Sequence, residues 1–172
     1  MAVSKRPTKY RQLLVAVLAL LLLFVAVMAI YRNFSRPLQP NAPANVSAQQ
    51  SADSQDAWAR DWLEVLQGIA SVLETVKDSS SAKAAAPNLL TYVNRIDQLA
   101  ERQKKLPRVT NSENDKILNR YMPEMLKVKK RMTDLVPTLR EKYDAVPALT
   151  DAMEKIMAAA GKLQRDGSTP TK

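Results

Sequence analysis

Residues 54–76 read SQDAWARDWLEVLQGIASVLETV, and their apolar members recur every third or fourth position: Trp58, Trp62, Leu66, Ile69, Leu73 and Val76. That spacing places all six on one stripe of an amphipathic helix of about 23 residues, with polar side chains around the rest of its surface. Asp53 or Ser54 is suited to cap its start, because a short side-chain oxygen there can accept from a free first-turn N–H. Trp58 and Trp62 stand one turn apart and point the same way. They read first as core anchors. The alternative is an exposed aromatic pair offered to a partner or a membrane surface.

The same period continues toward the C-terminus. Asp78, Ser79, Ser80 and Ser81 interrupt it and can cap a second helix that starts near Ala82. Pro87 fits that helix only in or near its first turn, where a missing N–H costs little. Leu89, Val93, Ile96 and Leu99 or Ala100 form its apolar stripe, and it ends before Pro107 among Arg102, Lys104 and Lys105. Cations suit the negative end of a helix dipole. Residues 109–112 read as a loop. Thr110 with Glu113, or Ser112 with Asp115, signals the start of a third helix. Its stripe is Leu118, Tyr121 or Met122, Met125, Val128, Met132, Leu135 and Leu139, and Pro123 and Pro137 should kink or split it. A last helix opens near Pro147 and uses Leu149, Met153, Ile156, Ala160 and Leu163, with Gly161 weakening it and a disordered tail over 166–172. No segment alternates with a period of two. The expectation is an all-α domain over 54–165, an antiparallel bundle of about four helices, or five if Pro137 divides the third.

Toward the N-terminus, residues 32–53 are rich in Pro, Ser and Ala, with Pro37, Pro40 and Pro43 at every third position, and read as a linker. Before them runs LLVAVLALLLLFVAVMAI, Leu13–Ile30, without a polar interruption. At about 1.5 Å per residue the run spans roughly 27 Å, near the thickness of a bilayer's hydrocarbon core. Tyr10 and Arg11 precede it and Tyr31 and Arg32 follow it, the aromatic and basic pairing that membrane interfaces favour. The sequence therefore predicts a single transmembrane helix over 13–31. The run exceeds a typical signal-peptide core, so an uncleaved signal-anchor is expected, although Val27 and Ala29 could form a cleavage site. Lys5, Arg6, Lys9 and Arg11 in the tail 1–12 outnumber Arg32 and Arg36, which places the N-terminus in the cytoplasm and the helical domain outside it.

The 172-residue chain has no Cys and no His, so it lacks thiol chemistry, the commonest general base and the commonest metal ligand. Three glycines leave no room for a glycine-rich phosphate loop. The net charge of +9 is unevenly spread: six of the 26 basic residues precede Asp53 and none of the 17 acidic ones do, leaving 20 against 17 beyond. Most of the basic excess thus flanks the apolar run, where lipid headgroups account for it, and nucleic acid is not an expected partner. The stretch DSSSAKAAAPNL, residues 78–89, resembles helical envelope proteins of bacteria that have no assigned activity. The resemblance implies a bacterial envelope setting and nothing about chemistry.

Candidates for chemistry are few. Asp61 with Glu64 and Asp151 with Glu154 lie one turn apart, and Ser79–Ser81 precede Lys83. Solvated helix surface and capping explain them more simply than acid–base or nucleophilic roles. No spacing suggests a metal site, no cofactor is implied and no small-molecule substrate is identifiable. Two basic clusters stand out, Arg102, Lys104, Lys105 and Arg108, and Lys127, Lys129, Lys130 and Arg131. Either they are solvated surface or they meet an anionic surface such as lipid headgroups, toward which a returning second helix would carry the first cluster. Met122, Met125, Met132, Met153 and Met157 suit adaptable packing, internal or against a partner. The function expected is a membrane-tethered, extracytoplasmic interaction or scaffold module without catalytic activity, its partners the bilayer and either another protein or a second copy. The alternatives are an envelope enzyme or subunit that uses carboxylates, and a binder of polyanions or anionic lipid.

Overall fold

A computed structural model describes residues 48–107, 109–143 and 146–165. The tail 1–12, the expected transmembrane helix 13–31, most of the expected linker, Arg108 and the tail 166–172 lie outside them. The described residues form four helices, α1 Ala48–Glu74, α2 Ser79–Lys105, α3 Asn111–Tyr143 and α4 Pro147–Arg165, and no strand.

Several boundaries have a local cause. α1 is already helical at Ala48, inside the stretch read as linker, where Ala48, Gln49 and Gln50 are good helix formers with no Pro or Gly among them. Asp53 and Ser54 therefore sit inside the helix, and the Ser54 hydroxyl donates to the Gln50 carbonyl at 2.8 Å instead of capping. α2 starts three residues earlier than the sequence suggested. Asp78 is its N-cap: the Ser81 N–H donates to Asp78 Oδ1 at 2.7 Å, and the Asp78 N–H donates to Ser81 Oγ at 2.9 Å. Leu106 is extended, as a residue before proline prefers, and that ends α2. Thr110 and Glu113 make the corresponding box for α3: Thr110 N–H donates to Glu113 Oε2 at 3.0 Å, and Glu113 N–H to Thr110 Oγ1 at 3.3 Å. Pro147 takes the first position of α4.

Pro87 lies in the third turn of α2, not the first, which corrects its expected place, and α3 runs through Pro123 and Pro137 without being split. All three prolines are exposed, and so are Lys83, Asn119 and Thr133, the residues four positions earlier whose carbonyls lose a donor. Water can hydrate carbonyls on that face, so the lost bond is not a buried one.

α2 packs most heavily on α4, then α1 on α3 and α1 on α2, whereas α3 and α4 touch little. The cross-links set direction. Trp58 reaches the Leu99 carbonyl, Glu64 faces Arg95 and Gly68 lies against Tyr92, so α1 and α2 are antiparallel. Asp56 meets Arg120 and Glu74 meets Arg131, so α1 and α3 are parallel. α4 starts where α3 ends, beside the start of α2, and Lys162 near its end pairs with Asp97 late in α2, so these two are also parallel. Around the bundle the order is α1, α2, α4, α3. The neighbours are thus not all antiparallel as expected, and α2 and α3, joined by a five-residue connection, occupy opposite corners. Five residues reach about 17 Å, enough for a diagonal of about 14 Å between helices about 10 Å apart. The connection is tied to the start of α1, where Gln55 Nε2 donates to the Pro107 carbonyl at 2.8 Å. One core runs through all four helices, with Trp62, Leu89, Ile96, Val128, Leu149 and Ile156 among its most enclosed members.

Candidate functional site

The two tryptophans belong to the core. Trp58 is 3% exposed and Trp62 1%, with stacked rings 6.4 Å apart and 14° from parallel. Trp58 Nε1 donates to the Leu99 carbonyl at 3.0 Å, while the buried Trp62 Nε1 has no hydrogen-bond partner among the described residues. The reading of an exposed aromatic pair is therefore corrected: α2 and α3 flank α1 and cover its apolar stripe.

The basic clusters are on the surface but do not come together. α2 returns antiparallel to α1, so Arg102, Lys104 and Lys105 lie at the end of the bundle where α1 begins. Lys127, Lys130 and Arg131 lie toward the end where α1 finishes. Most of their charge is locally matched. Arg102 pairs with Asp61 and Lys104 with Glu101 at 2.8 Å. Lys127 pairs with Glu124, and Lys130 with Asp134 at 2.7 Å. Arg131 forks onto both oxygens of Glu74, at 2.8 and 2.7 Å, with Ser71 Oγ at 3.3 Å. Lys105 is exposed and Lys129 half-buried, neither with an ion pair among the described residues. Exposed pairs of this kind stabilise a fold little, but they remove the concentrated positive field that capture of a polyanion needs.

Three of the four carboxylates singled out for chemistry are engaged in the same way. Asp61 is shared by Arg102 and Arg60, Glu64 faces Arg95 at 3.7 Å, and Asp151 holds Lys155 at 2.8 Å. Ser81 is occupied by the cap of α2. Among the described residues no group of three or more Asp or Glu is placed to hold a metal ion. The shifted titrations follow these bonds. The Arg131 fork holds the Glu74 carboxyl below its ordinary range and raises the guanidinium. The backbone and hydroxyl of Thr110 lower Glu113. Burial, then the neighbouring Asp56 carboxylate, raises the Tyr121 phenol.

Three features had no signal in the sequence. The first is a polar knot between α1 and α3, in which Tyr121 donates to Asp56 Oδ2 at 2.9 Å while Arg120 takes Oδ1. Its members are more than sixty positions apart, and no periodicity links them. The second is Asn114, buried in the first turn of α3 with its Oδ1 unpartnered among the described residues. The third is a crevice between α1 and α3, lined by Gln55, Trp58, Ala59, Ile117, Leu118, Tyr121, Met122 and Met125. Its cavity of about 10 Å³ is no larger than one water molecule needs. Leu126, one turn beyond Met122, is 54% exposed. No family model matches the chain, and no curated protein or solved structure matches it.

Proposed function

We propose that this chain is a single-pass membrane protein whose helical bundle, tethered outside the cytoplasm of a bacterial cell, binds a protein partner or a second copy of itself without catalysing a reaction. One observation carries the reading: the unbroken apolar run Leu13–Ile30, with Tyr and Arg at both borders and the larger basic count on its N-terminal side. Chemistry and charge support the second half of it. The chain has neither His nor Cys, and the acidic and basic side chains noticed in the sequence are largely spent on one another or on caps. What the bundle offers is shape and a mixed polar surface, which suits protein recognition better than capture of a polyanion.

The membrane half is tested by carbonate and high-salt extraction of the full-length protein, followed by protease treatment of intact spheroplasts. The expected result is retention in the membrane pellet and digestion of the bundle from outside. Full release by carbonate without cleavage would overturn the anchor, and protection of the bundle would overturn the orientation. Crosslinking in intact membranes tests the partner half. A discrete adduct, to another protein or to itself, is expected, and its absence across linkers of several lengths counts against an interaction module.

A further inference from the structure

We draw no further inference here: the strongest candidate, the shallow apolar crevice between α1 and α3 lined by Trp58, Ile117, Leu118, Tyr121 and Met122, carries nothing because nothing in the structure shows what covers it.

Discussion

Two glycines in helices make opposite demands. At Gly68 an added Cβ would lie 2.6 Å from carbons of the Tyr92 ring, so the absence of a side chain lets that ring lie against α1. At Gly161 nothing stands within 4 Å. Gly161→Ala is therefore expected to stabilise the bundle by about 0.5–1 kcal/mol through helix propensity alone. Gly68→Ala should cost about 1 kcal/mol, the crowding of Tyr92 outweighing the same gain. In a Tyr92→Ala background Gly68→Ala should turn stabilising. Chemical denaturation of the four variants checks this, and an unchanged sign in the Tyr92→Ala background would refute the steric account. The tryptophans allow a similar contrast. Trp58→Phe removes a bond to the Leu99 carbonyl, whereas Trp62→Phe removes a donor with no partner among the described residues. The first is expected to cost about 1 kcal/mol more than the second.

At the scale of the helix, caps and ion pairs make stability depend on pH. Glu113 closes the start of α3 and Glu74 accepts the Arg131 fork, and both carboxyls titrate below the ordinary 4.5 in the folded chain. A carboxyl lowered by folding contributes above its unfolded value, and the contribution disappears as pH falls through the folded value. Stability should thus hold down to about pH 4.5 and decline below it, and the paired variant Glu74→Gln, Glu113→Gln should flatten that decline in melts between pH 6 and 3. Tyr121 acts on the other side. Its phenol is raised above 10.0, so its contribution is complete below that pH and lost as pH climbs past it. Both capping boxes follow residue spacings visible in the chain, Asp78 to Ser81 and Thr110 to Glu113. The depth of Pro87 inside α2 was not visible, because tolerance of a mid-helix proline depends on which face meets water. That is set by the neighbouring helices.

For the molecule as a whole, the heaviest contact joins α2 to α4, the last of the described helices. Leu149, Ala152, Ile156, Ala159, Ala160 and Leu163 are buried from the α4 side, and Ala82, Ala85, Ala86, Leu89 and Ile96 from α2. A chain ending at Tyr143 would expose that face of α2. It is expected to retain much of its helical circular dichroism while losing a cooperative melt, since the remaining helices would share no closed core. A sharp, unchanged melt from such a truncation would show that α1, α2 and α3 suffice. The diagonal connection after α2 is equally a property of the whole. Gln55 and Pro107 are 52 positions apart, and only assembly brings the amide to the carbonyl.

Periodicity alone determined that the C-terminal two thirds is helical, where most helices start and stop, and which residues form their apolar stripes, because a 3.6-residue repeat, caps and prolines act within a few positions of themselves. It also marked the apolar run that underlies the membrane reading. Only the assembled bundle decided which helix lies beside which, that α1 and α3 run parallel, that Trp58 and Trp62 face inward, and that the basic clusters sit at opposite ends with their charge largely matched. Those outcomes depend on contacts between residues tens of positions apart, where shape and partner are chosen jointly and no local pattern records the choice.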